Sequence, residues 1–123
     1  MDRVLLVIGS LFALLSVALG AFGAHALRKK LSSDQLAVYQ TGVQYQMYHA
    51  LGLLALGIYA AVFGQNGWLS VSALLMVIGV ILFSGSLYVL TLTGKRGFGA
   101  ITPLGGLSWI ISWLLFMIAV IAK

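Results

Sequence analysis

Long apolar runs, broken by short polar ones, set the outline of this chain. Val4 to Ala24 runs without a single charge. A second apolar run closes at Phe63, before Gly64-Gln65-Asn66-Gly67, whose glycines and asparagine mark a turn. A third extends from Trp68 to about Leu92, and a fourth from Thr102-Pro103 to Ala122. Crossing the hydrocarbon core takes about 20 predominantly apolar residues in a helix. The pattern therefore predicts four spans, over 4–24, 45–63, 68–92 and 102–122. Thr102 suits an N-cap and Pro103 the first helical position, where its missing N–H is not needed.

The segment between the first two spans is different. Ser32-Ser33-Asp34-Gln35 reads as a capping box, with Ser32 as the cap and Gln35 at the third helical position. Leu36, Tyr39, Val43 and Met47 follow at steps of three and four, an apolar helical stripe. Gln35, Gln40, Thr41, Gln44, Tyr45, Gln46 and His49 surround it. Counting back about 30 Å from Phe63, at about 1.5 Å per residue, puts the membrane boundary near Tyr45. The expected fold is all-α: one domain over 1–123, an integral membrane bundle of four transmembrane helices, with an amphipathic cytoplasmic extension before the second span.

Composition agrees. Of 123 residues 62% are hydrophobic and 7% charged, against about 25% charged in soluble domains. A water-exposed globule this short could not hide so much apolar surface. The net charge of +5 is concentrated in two clusters, Arg28-Lys29-Lys30 and Lys95-Arg96, each beside an apolar run. Such cations determine topology and meet lipid headgroups; nothing resembles a base-reading module, so nucleic acid is not an expected partner. Loops one and three hold five Lys or Arg, loop two holds none, and the other side has only Arg3 and Lys123. The positive-inside rule then predicts cytoplasmic loops one and three, with both termini outside. Ala24-His25-Ala26 has the form of a signal-peptidase site, but the long apolar run and the basic cluster behind it favour a retained helix.

Small side chains recur at helical spacing. The first span carries Gly9, Ala13, Ser16, Gly20 and Gly23; the second Gly57, Ala60 and Gly64; the fourth Gly105, Ser108 and Ser112. Within lipid such seams allow close backbone approach. Intrachain packing is the plainer reading, and an oligomer interface the alternative. Trp68, Trp109 and Trp113 fit interfacial anchoring or core packing.

Chemistry has few residues to work with. The absence of cysteine excludes disulfides, thiolate metal sites and cysteine nucleophiles. The two carboxylates, Asp2 and Asp34, lie at the N-terminus and in a loop, whereas a small proton-coupled exporter relies on an intramembrane acid. No acid stands to orient a histidine in a triad. Gly94-Lys95-Arg96-Gly97-Phe98-Gly99 lacks P-loop spacing and reads as a basic turn. One candidate polar site remains: His25, Gln44, Tyr45, Gln46, Tyr48 and His49. A neutral imidazole at His49 needs hydrogen-bond partners, which neighbouring glutamines and tyrosines could supply. His25 could approach it, although two histidines are a weak signal for haem or metal. No cofactor and no metal are expected.

GAFGAHAL (Gly20–Leu27), YQTGVQYQMYHALGLLALG (Tyr39–Gly57), SGSLYVL (Ser84–Leu90) and ITPLGG (Ile101–Gly106) give the chain a family likeness. It resembles the small four-span membrane proteins of domain of unknown function 423, to which vertebrate transmembrane protein 256 looks related. The resemblance implies a bacterial inner-membrane protein and carries over no activity and no catalytic residue. It points to His25, Gln44, Tyr45, His49, Thr102 and Pro103. The expected function is a non-enzymatic interaction or lipid-associating role as a homo-oligomer, with membrane lipids and other membrane proteins as partners. The alternative is a carrier or channel for a small or amphiphilic molecule, lined by His25, His49 and the glutamine-tyrosine region.

Overall fold

A computed structural model describes residues 2–122, apart from the side chain of Ala24; Lys123, counted above among the cations, lies outside the described residues. Helix α1 spans Asp2–His25, α2 Ser33–Phe63, α3 Gly67–Gly79, α4 Gly85–Thr93 and α5 Thr102–Ile121. A π-helical stretch, Val80–Ser84, joins α3 to α4, and a 3-10 turn, Arg96–Ala100, leads into α5. Four helical segments are long and apolar enough to cross a membrane, α3 and α4 together forming the third. The fold is an all-α membrane bundle.

Local chemistry sets the helix ends. Ser32 Oγ accepts from the Gln35 backbone N–H at 3.1 Å, and Gln35 Oε1 accepts from the Ser32 N–H at 3.0 Å, completing the capping box. Asp34 therefore belongs to the first turn of α2 rather than to a loop. Gly64, at φ 91°, ends α2 in a conformation that side chains rarely adopt. Asn66 then caps α3 by accepting the Leu69 N–H at 2.9 Å, while its amide reaches the Ala119 carbonyl at 3.4 Å. Gly94, left-handed at φ 73°, ends α4. Thr102 does not cap α5 as its sequence position suggested. Ile101 occupies that place, and the Thr102 hydroxyl pairs instead with Ser86 Oγ at 2.6 Å.

Successive spans alternate in direction, and α2 lies against each of the others. α1 packs chiefly on α2, and α5 chiefly on α3. Small residues make the first pairing close. A methyl on Gly9 would stand 2.9 Å from the Ala50 carbonyl oxygen, and one on Gly57 2.9 Å from Leu6; one on Gly23 would overlap the Tyr39 ring. Ser16 is buried, and Ala13 and Gly20 are half-buried on the same helix. The α1 seam thus faces a neighbour in its own chain. Across the other pairing, Gly105 lies against the Phe83 backbone and Gly79 under the Trp109 ring. The buried apolar core joins Leu5, Leu53, Leu56, Leu69, Met76 and Trp109.

Polar side chains fasten the helices by donating to a neighbour's backbone carbonyl. Ser72 and Ser112 do so reciprocally, Ser72 Oγ to the Ser112 carbonyl at 2.7 Å and Ser112 Oγ to the Ser72 carbonyl at 2.6 Å. Ser108 donates to Leu75 at 2.7 Å and Ser84 to Gly42 at 2.6 Å. A helical carbonyl already accepts one intrahelical bond, and its second lone pair takes the extra donor. Helix α2 runs unbroken through Gly42, whose missing side chain leaves room for Tyr88.

Candidate polar site around His49

The six residues singled out in sequence do not converge. Positions three apart share a helix face, so Gln46 and His49 point together into the bundle and are buried. Gln44, Tyr45 and Tyr48 are exposed on the remaining surface of α2. His25 is exposed at the end of α1. Gln46 Nε2 donates to the Phe12 carbonyl at 2.9 Å, which fixes the relative depth of α1 and α2. His25 lies 13 residues beyond Phe12, about 20 Å along the axis at 1.5 Å per residue. His49 is one turn from Gln46 in the opposite sense. The approach of the two histidines expected from sequence is not made.

The partners of His49 are also not those anticipated. The Trp113 indole N–H donates to His49 Nε2 at 3.1 Å, and His49 Nδ1 lies 2.7 Å from the Tyr45 carbonyl oxygen. An indole nitrogen can only donate, so Nε2 supplies the lone pair and Nδ1 carries the hydrogen given to Tyr45. This is the neutral imidazole with both nitrogens engaged. Trp109 covers one face of the ring, with centroids 3.7 Å apart and planes 2° from parallel. The Trp109 N–H in turn donates to the Met76 carbonyl at 3.1 Å.

One turn away, Tyr88 donates to Gln46 Oε1 at 2.6 Å, so the amide bridges α4 to α1 through α2. Tyr39 donates to the Leu19 carbonyl at 2.6 Å and its ring lies 5.5 Å from that of Tyr88. Sequence reasoning did not identify Trp109, Trp113, Tyr88 or Ser84 as partners of this region. The spacing of the two tryptophans, one turn apart, was a usable signal for a shared face. Its depth relative to His49 was not readable. Among the described residues no buried side-chain polar atom lacks a partner, and no three potential metal-ligating groups assemble. The geometry holds helices together.

The cationic side chains lie elsewhere. Arg28, Lys29, Lys30, Lys95 and Arg96 are all exposed, in the two loops at the end of the bundle where α1 and α4 finish. Near them a cleft of about 450 Å³ opens between the first turns of α2 and the end of α4.

Comparison with known proteins places the chain. UPF0382 membrane protein YwdK of Bacillus subtilis is 47% identical over 119 residues, covering 97% of each chain. UPF0382 membrane protein SSP2132 of Staphylococcus saprophyticus is 46% identical over 120 residues, covering 94% of this chain and 95% of the relative. UPF0382 inner membrane protein YgdD of Escherichia coli K12 is 37% identical over 120 residues, covering 98% and 91%. No solved structure matches. The family model described as "Protein of unknown function (DUF423)" matches residues 19–106, from the last turns of α1 through the start of α5, and the chain belongs to that family of small membrane proteins.

Proposed function

We propose that this protein is a non-enzymatic membrane-interaction protein, which associates with lipids through its basic end and with further copies of itself or other membrane proteins through its lipid-facing helices. The observation that carries this reading is the engagement of both His49 nitrogens, by Trp113 and by the Tyr45 carbonyl. An imidazole so placed serves packing, and no carboxylate stands beside it to make a relay. Hydrogen-bonding capacity is left instead on the exposed cations at the basic end. Each cation near an anionic surface contributes about 1 kcal/mol. The positive-inside rule puts this end in the cytoplasm and both termini outside, in a bacterial inner membrane.

An apolar groove of about 250 Å³ between α1 and α3, lined by Val4, Leu5, Ile8, Ala73 and Leu74, supports self-association. The glycine seam of α1 is already occupied by α2, so a second copy would meet this outer groove. Native mass spectrometry from lipid nanodiscs tests both parts. Expected are multimers retaining phosphatidylglycerol, and loss of that lipid when Arg28, Lys29, Lys30 and Lys95 are neutralised. Single chains, or lipid retention indifferent to the four changes, would contradict the reading.

A further inference from the structure

The cleft at the basic end pairs opposite charges without joining them. Asp34 and Arg96 both line it, with Gln35, Val38 and Leu90. Among the described residues neither the Asp34 carboxylate nor the Arg96 guanidinium has a protein hydrogen-bond or ion-pair partner. Both side chains are exposed. The fold fixes where each stands. The capping box holds the first turn of α2, and the left-handed Gly94 turns the chain so that Arg96 comes back beside it. Gln35 spends only its side-chain oxygen on the Ser32 N–H, which leaves its amide donors for a ligand.

Depth narrows the choice of ligand. Helix α2 has 31 residues, about 46 Å at 1.5 Å per residue against a hydrocarbon core of about 30 Å. Tyr39 lies level with Gly23, near the end of α1, so Asp34 stands more than a turn beyond it. That is the headgroup layer. Val38 and Leu90 give the cleft an apolar wall toward the bilayer. Its volume falls within the range of about 300–1,000 Å³ usual for small-molecule sites.

We propose that this cleft binds the phosphoethanolamine headgroup of a membrane lipid, its ammonium on Asp34 and its phosphate on Arg96 and the Gln35 amide. A primary ammonium donates hydrogen bonds to a carboxylate, whereas a quaternary ammonium is recognised by an aromatic cage. No aromatic residue lines the cleft, so choline is not favoured. The assignment rests on the lipid-associating reading above and adds a headgroup preference that simple attraction to anionic lipid would not produce.

The test is native mass spectrometry of the full chain in detergent, with equimolar phosphatidylethanolamine, phosphatidylcholine and phosphatidylglycerol of identical acyl chains. Phosphatidylethanolamine is expected to be retained about tenfold over phosphatidylcholine, the worth of one charge-assisted hydrogen bond. Asp34→Asn abolishes that preference, Asp34→Glu restores it, and Arg96→Gln weakens both zwitterionic lipids together. Equal retention of the two by the unmodified protein, or an unchanged preference in Asp34→Asn, overturns the assignment. Competition by water-soluble glycerophosphoethanolamine at equimolar concentration would make the occupant a soluble phosphoester and overturn the lipid source. Phosphatidylglycerol retention, and its loss on neutralising Arg28, Lys29, Lys30 and Lys95, reports separately on the broader reading.

Discussion

Trp113 donates its indole N–H to Nε2 of His49 at 3.1 Å across 64 residues of sequence. The bond is one of several by which α2 and α5 are fixed in depth, and it defines the tautomer of the histidine. A polar residue within a span needs an explanation, and here the explanation is structural. The ring is held from both nitrogens and covered by Trp109.

His49→Leu is accordingly expected to lower stability by about 1–3 kcal/mol, since it strands the Trp113 donor and frees the Tyr45 carbonyl. Combining it with Trp113→Phe should reveal a coupling near 0.6 kcal/mol and no more than about 1.7, the range for interhelical bonds in membranes. Thermal melting in detergent measures both. An unchanged melt accompanied by a lost cellular phenotype would return His49 to the list of functional groups.

The glycines divide sharply by what a methyl would meet. At Gly79 it would overlap the Trp109 indole, and at Gly105 the Phe83 backbone, whereas at Gly85 nothing stands within 4 Å. Gly79→Ala and Gly105→Ala should each cost about 1–3 kcal/mol by overpacking. Gly85→Ala should be neutral or stabilising by up to about 1 kcal/mol, through helix propensity. If all three variants melt alike, the close approach of α5 to the third span is wrong.

Ser72 and Ser112 form a reciprocal pair whose hydroxyl oxygens lie 3.2 Å apart. Each single alanine variant should lose roughly 0.6 kcal/mol, and the double variant should lose less than the sum, because the two hydroxyls share one environment. Strict additivity in chemical or thermal unfolding would argue that the hydroxyls act independently.

The chain has no cysteine, so single cysteines can be introduced without background. One placed beside Lys95 or Arg96 should react with membrane-impermeant maleimide only after the cytoplasmic face is opened. One in Gly64-Gln65-Asn66-Gly67 should react in intact cells. Reversal of the two patterns would invert the topology.

Features encoded by adjacent residues were readable in sequence. The Ser32–Gln35 box, the stop at Phe63 and the four apolar runs all depend on neighbours within a few positions, and all appear where the pattern put them. Features that depend on depth were not. Nothing in Gly42 announces that Tyr88 will fill the space beside it and Ser84 will bond its carbonyl, keeping α2 straight. Thr102 looks like a cap to any local rule, yet a hydroxyl 16 residues away claims it. The polar site was divided for the same reason. Helical spacing puts Gln46 and His49 on one face, but only the register of α1 and α5 tells which residues they meet.

The π-helical stretch Val80–Ser84 makes the third span two segments out of phase. The first turns Ser72, Met76 and Gly79 toward α5, and the second offers Ser84 and Tyr88 to α2. A wide turn of this kind holds one residue more than an α-turn. Removing a single amino acid there would act less as a loss than as a rotation, swinging everything downstream by about 100°. The Tyr88 hydroxyl would leave Gln46, and with it the bridge from α4 through α2 to α1. Length in this short stretch is therefore expected to be held more tightly than the identity of its lipid-facing side chains.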